Sequence, residues 1–140
     1  MDVTTGHQST NLSIKGSSKA VLVTGGAGYV GSHTCKLLFK NGYVPVTIDR
    51  HHREGLVSFG PSYTLNLPQE INRLDEIIKR YNITSCIHFA GSTSVSESVA
   101  NPSLYYKNNL IMTVSLLDKL IAESRHLYIL QVRPLMVTQV

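Results

Sequence analysis

The sequence predicts an α/β fold, a Rossmann-like doubly wound parallel sheet that stops after about five strands, and three observations predict it. Short apolar runs at residues 20–24, 44–48 and 85–90 alternate with helix-length segments. Unbroken apolarity over so few residues suits a strand buried on both faces. Crossovers of that length between strands imply parallel pairing, since an antiparallel neighbour needs only a tight turn. Finally, the first apolar run ends in a glycine-rich turn that opens a helix.

Taken in order, residues 1–18 are rich in Thr, Ser, Gly and Lys without periodicity and read as a disordered lead-in. Residues 20–24 form the first strand. Residues 28–40 form a helix with Val30, Leu37 and Leu38 on one face, closed by the C-cap signal Asn41-Gly42. Residues 44–48 are the second strand. Residues 49–62, with His51, His52, Arg53 and Gly55, are a loop holding a short helix, and 63–67 a third strand. Pro68 opens a helix to about residue 81, with Ile71, Leu74, Ile77 and Ile78 at helical spacing. Residues 85–90 are the fourth strand. Pro102, behind Asn101, suits the first turn of a long helix patterned by Leu104, Asn108, Ile111, Ser115 and Leu116 to about residue 123. Residues 127–130 are the fifth strand. The folded domain therefore spans residues 19–126, followed by a tail at 127–140, with no internal repeat and no second domain.

Composition narrows the function classes. Of the 140 residues, 42% are hydrophobic and 16% charged, which fits one domain with a buried sheet. The net charge is +4, but the 13 Lys and Arg are scattered, without a basic run or interleaved aromatics, so a nucleic-acid partner is not expected. No apolar run reaches the length of a membrane span and no signal-peptide pattern opens the chain, so a soluble cytoplasmic protein is expected. Cys35 and Cys86 read as reduced, buried thiols rather than a disulfide. Asn11 and Asn82 sit in formal glycosylation sequons that a cytoplasmic chain would not use. His51 and His52 are adjacent and cannot share a helix face as ligands, so no metal site is expected. His33 lies on the first helix near the expected cofactor turn, and a packing role is expected of it over a cofactor one. Glu97 and Ser98 lie either near a substrate or on a solvent-facing turn.

The turn Thr24-Gly25-Gly26-Ala27-Gly28-Tyr29-Val30-Gly31 carries the chemistry. Its first glycines permit the strand-to-helix turn, Gly28 leaves room for a pyrophosphate, and Gly31 lets helix and sheet pack closely. The phosphates then sit on free N–H groups at a helix N-terminus. A glycine turn used only for packing is the bland alternative. Asp49 ends the second strand, where a carboxylate accepts hydrogen bonds from an adenosine ribose. It also repels a 2′-phosphate and so favours NAD over NADP, although Arg50 beside it could accommodate that phosphate.

Three blocks, VLVTGGAGYVGSHTCKLL at 21–38, IHFAGSTSVSES at 87–98 and NPSLYYKNN at 101–109, resemble the front half of the UDP-glucose 4-epimerase branch of the extended short-chain dehydrogenase/reductase family. The resemblance covers about residues 20–124. It implies that Gly25, Gly28, Tyr29, Val30 and Gly31 cradle the NAD pyrophosphate and that Asp49 holds the ribose. It places Asn66 and Leu67 at the adenine, Phe89, Ala90 and Gly91 along the cofactor, and Asn108 between cofactor and sugar nucleotide. It further implies a UDP-sugar substrate, transient oxidation at the sugar C4 and, for an intact member, a homodimer.

Some positions depart from the family pattern. The loop after Asp49 is basic and short, Asn66 stands where an Asp is common, and Thr93 stands where a phosphate-contacting Lys is common. Loss of that charge-assisted contact is expected to weaken NAD binding by about 1–3 kcal/mol. The family base lies in a Tyr-x-x-x-Lys motif, and none of the seven tyrosines has Lys four positions on. No catalytic residue of the family is therefore expected in this chain, and the family's substrate domain is absent. The resemblance stops after Glu123. One codon choice for residues 129–140, read two nucleotides later, spells Phe-Ala-Ser-Ser-Ala-Thr-Tyr-Gly-Asp-Pro-Ser, close to the family's Ser-Ser segment, although the genetic code forces only the glycine. A shift of reading frame near Leu127 is the expected cause. A non-catalytic NAD-binding module, the front half of a UDP-pentose 4-epimerase and that of a related sugar-nucleotide dehydratase are the alternatives.

Overall fold

The computed structural model describes residues 18–91, 95–122 and 126–129. The expected lead-in up to residue 17 and the tail beyond residue 129 lie outside them. The elements are β1 (Ala20–Thr24), α1 (Tyr29–Lys40), β2 (Val44–Asp49), a 3-10 turn (Glu54–Ser58), β3 (Ser62–Thr64), α2 (Arg73–Arg80), β4 (Ser85–His88), α3 (Val95–Ala100), α4 (Pro102–Ile121) and β5 (His126–Ile129).

All strands pair in parallel, in the order β3-β2-β1-β4-β5. The chain runs outward from β1 to β3, then returns to the other side of β1 with β4 and β5. That reversal makes the β1–β4 boundary a topological switch point, where open α/β sheets form a crevice at the carboxyl ends of the strands. β1 is central and buried throughout, which explains its unbroken apolarity. In register, Leu22 lies between Val46 and Cys86.

Alternate residues of β1 feed two cores, as the period of two requires. Leu22 joins Val46, Ile48, Leu74, Ile78 and Cys86 with Leu116 and Leu120 of α4 on one face. Val21 and Val23 pack with Cys35 of α1 on the other, with Leu38, Phe59 and Ile87 around them. Both faces are thus covered. Across the first face, the Lys119 ammonium lies 2.6 Å from the Asp75 carboxylate and ties α4 to α2.

Several boundaries differ from expectation. The inner face of α1 is Gly31, Cys35 and Leu38; Leu37 is 62% exposed, and Val30 turns outward too. Close contact at Gly31 sets this rotation, not the count of large apolar residues. The β3 ladder ends at Thr64, yet Leu65 and Leu67 continue the buried alternation, so the pattern records burial rather than strand length. Residues 68–72 form turns with i to i+3 bonds such as Ile71 N to Pro68 O, and α2 starts only at Arg73. Glu70 secures that segment: its carboxylate accepts from the Asn66 amide at 2.7 Å and from Arg73 at 2.9 Å. The Asn66 bond above all, then Arg73, holds its pKa below the usual range.

The serine-rich stretch after Gly91 contains a helix, α3, for which the sequence showed no apolar stripe. In α4, Asn101 caps the start by accepting from the Leu104 amide, with Pro102 in the first turn as expected. Only its C-terminal half covers the sheet, through Leu116 and Leu120; Leu104 is 52% exposed. Cys35 and Cys86 are buried and free, as read. Burial pushes the Cys35 thiol up to about 12 and raises Cys86 as well.

Candidate functional site

The carboxyl ends of β1, β2 and β4 open into a cleft of about 1000 Å³. Gly25, Gly28, Tyr29, Val30, Gly31, Asp49, Asn66, Leu67, Phe89, Ala90, Gly91 and Asn108 all line it. These twelve residues, the cofactor-binding set expected from the sequence, border one cleft although they span more than eighty positions of the chain.

Backbone geometry shapes the glycine turn. Gly25 has φ +73°, and a Cβ there would lie 2.6 Å from the Ala90 nitrogen, so the turn and the end of β4 touch only because that side chain is missing. A Cβ on Gly31 would run into the Gly25 carbonyl. Gly28 is different: the nearest atom to an added Cβ is the Gly25 oxygen at 3.3 Å, so its missing side chain keeps space open in the cleft instead of relieving a clash. Gly25 N donates to Ile48 O at 2.8 Å and binds the turn to β2.

α1 starts at the cleft with Gly28 as its N-cap, no side-chain cap and no acidic residue in its first turn. The N–H groups of a first turn have no partner within the helix. A polar wall of uncapped amides beside a side-chain-free Gly28 suits a diphosphate and offers nothing to an apolar ligand.

Asp49 braces this wall. Its Oδ2 accepts from the Ala27 amide at 3.0 Å and its Oδ1 from the His51 amide at 2.9 Å. Each oxygen keeps a second lone pair for a ligand hydroxyl. Arg50 also lines the cleft, its Nε donating to His51 Nε2 at 3.2 Å. Arg53, which the sequence placed only in a loop, reaches back: its Nη1 donates to Ala27 O at 3.0 Å and to Ser32 Oγ at 3.1 Å. No sequence spacing announces a contact across 26 residues. His33 is exposed on α1, with its ring edge-on against the exposed Tyr29 and ring centroids 4.7 Å apart, so it is a surface contact and not part of the core. Ser98 lies in α3 rather than on a turn, and Thr93 is outside the described residues.

Sequence reasoning also missed His88. It is buried, with Nδ1 2.5 Å from Thr24 Oγ1 and Nε2 3.2 Å from Thr113 Oγ1. Burial depresses its pKa. A histidine at the end of an apolar strand gives no signal of its own before Thr24 and Thr113 are placed beside it. Among the described residues no three or more His, Cys, Asp or Glu gather as a metal site, and no helix is long and apolar enough to cross a membrane.

Comparison with known proteins agrees with this geometry. The model of the NAD dependent epimerase/dehydratase family matches residues 21–130. A UDP-glucose 4-epimerase of Rhizobium leguminosarum bv. trifolii is 43% identical over 103 residues, covering 71% of this chain and 31% of that protein. The crystal structure of UDP-glucose 4-epimerase from Brucella ovis in complex with NAD is 38% identical with TM-score 0.71, over 80% of this chain and 35% of that one. The Bifidobacterium longum UDP-glucose 4-epimerase, in complex with NAD+ and UDP, is 30% identical with TM-score 0.71, over 79% of this chain and 36% of that one. The chain thus spans about a third of the length of the relatives it matches. With its Rossmann-like sheet, its glycine cleft and these relatives, the chain belongs to the NAD-dependent epimerase/dehydratase family.

Proposed function

We propose that this chain is the NAD-binding part of a UDP-glucose 4-epimerase, an isomerase of galactose and nucleotide-sugar metabolism that interconverts UDP-glucose and UDP-galactose by transient oxidation at C4. The observation that carries the reading is the convergence of the glycine turn, Asp49 and the end of β4 on one cleft. Bound NAD supplies a reversible hydride acceptor. The residues of this chain bind and orient it. The uncapped amides beside Gly28 take the diphosphate, and Asp49 takes the adenosine ribose. Asn66 and Leu67 flank the adenine, and Phe89, Ala90, Gly91 and Asn108 line the other half. The Asp49 carboxylate opposes a 2′-phosphate and selects NAD over NADP.

The chain alone is catalytically incomplete on this reading, because the proton-abstracting Tyr-x-x-x-Lys pair is not in its sequence. The sheet runs on through β5 to Ile129 and the family match to residue 130, past the boundary at 126 expected from the sequence; a shifted reading frame would on this reading begin beyond them. In the cytoplasmic intact enzyme the UDP-sugar is the partner ligand. A second copy is the partner chain, a role supported by the apolar residues exposed on α4, such as Leu110, Val114 and Ile121. A non-catalytic NAD-binding module, resting on the same cleft without the sugar chemistry, is the second reading. Two measurements decide. Titration of the full chain with NAD and NADP should show binding with NAD preferred; no binding of either overturns both readings. Sequencing the transcript across the codons for Glu123 to Val140 then separates them. A Ser-Ser…Tyr-Gly segment in another frame supports the epimerase, and its absence supports the module.

A further inference from the structure

A series of hydrogen bonds crosses from β4 to α4 beneath the cleft, and its direction follows from which groups can donate. Thr113 Oγ1 lies 3.0 Å from the Asn109 carbonyl, which can only accept, so the hydroxyl proton of Thr113 points there. Toward His88 Nε2, at 3.2 Å, Thr113 can then only accept, and Nε2 must carry a ring proton. His88 is buried and therefore neutral, which leaves Nδ1 as an acceptor. Thr24, 2.5 Å from Nδ1, must donate to it. The Thr24 oxygen is left to accept from the Ala90 amide, 3.4 Å away. The order is Ala90 N–H, Thr24 O–H, His88, Thr113 O–H, Asn109 C=O, every donor pointing the same way.

The two ends of this series are walls of the cleft: Ala90 and Asn109 both line it, and His88 does not. Asn109 also stands against Gly91, where an added Cβ would lie 3.3 Å from its Oδ1. Asp49 lies on the opposite side of β1, at the end of β2. We infer that His88, held as the Nε2–H tautomer between Thr24 and Thr113, is a positioning residue that sets the β4 wall of the cleft against its α4 wall. It acts on the half of a dinucleotide that lies away from Asp49, a consequence that rests on the NAD reading above.

The test uses the full chain with labelled histidine, in wild type, Thr113→Val and Thr113→Ser. In wild type near neutral pH the His88 ring should show an unprotonated Nδ1 and a protonated Nε2; the opposite tautomer or an imidazolium would overturn the inference. Thr113→Val should raise the exchange rate of the Ala90 amide about tenfold while leaving the β1 amides unchanged, and Thr113→Ser should restore it. Equal acceleration at both places would mean general destabilisation and no positioning role, and so would no change at either. For ligands, Thr113→Val should weaken NAD about tenfold and AMP by less than about twofold; equal losses would place the effect outside the distal half and overturn it. If wild type binds no NAD, the cofactor reading falls alone, and the tautomer and exchange results still decide the role of His88.

Discussion

The Asp49 carboxylate accepts a hydrogen bond from the Ala27 amide at 3.0 Å, joining the end of β2 to the middle of the glycine turn across 22 residues. The residue that reads as a ribose ligand is therefore also a structural brace, since its other oxygen holds the His51 amide. Asp49→Asn keeps the shape but removes the charge and replaces one acceptor oxygen with a donor. We expect NAD to bind at least about tenfold more weakly, and the preference for NAD over NADP to narrow as repulsion of the 2′-phosphate disappears. Parallel titrations with the two dinucleotides measure both effects. An unchanged preference would show that Arg50 and Arg53, not Asp49, govern the choice.

Two glycines of the turn should separate fold from ligand. Gly31→Ala drives a methyl group into the Gly25 carbonyl, so it should destabilise the chain by about 2 kcal/mol or more. Gly28→Ala has only a 3.3 Å contact to accommodate and should leave the unfolding midpoint nearly unchanged while abolishing most dinucleotide affinity. Denaturant melts and titrations on both variants would decide. Equal destabilisation by the two would mean that Gly28 serves packing alone.

Stability should depend on pH through His88. Its folded pKa lies below its ordinary 6.5 because burial disfavours the charged ring. Between those two values the unfolded chain binds the proton and the folded chain does not, so stability rises with pH there. The contribution is full above about 6.5 and is lost as pH falls toward the folded value. His88→Gln should flatten that slope in denaturant melts between about pH 5 and 7. A slope that survives the substitution would assign it to another group.

The thiols should be inert while the chain is folded. Cys35 and Cys86 are buried, and burial pushes Cys35 up to about 12, far above the range where a thiolate forms at neutral pH. A thiol-specific chromophore should react with both only at the rate of opening, and fully in denaturant. Rapid reaction in the native chain would contradict the packing of α1 on the sheet.

The parts of this fold that are legible in the sequence depend on local chemistry. The glycine turn, the buried strand β1 and the Asn101-Pro102 helix start each follow from the residues at those positions. The cleft is legible as well, because the motif and Asp49 are carried by adjacent βα units. What is not legible depends on distant neighbours. The rotation of α1 is set by the carbonyl that Gly31 meets, not by the size of Leu37. The serine-rich α3 packs against α4 and has no stripe of its own. Arg53 and His88 become informative only when Ala27, Thr24 and Thr113 are brought beside them.

The position of β1 also governs how the chain can fold. Val21 pairs with Val44's neighbour Pro45 on one side and with Ser85 on the other, so one edge of β1 waits for residues 64 positions later. Gly25 meets its contact at Ala90 only when that edge closes. Contacts of such separation form late and set a slow rate, because the intervening chain must be confined before they give any return. The cleft is therefore among the last features to assemble, and a nascent chain that has emerged only through α2 has β1, its glycine turn and Asp49 but no cleft.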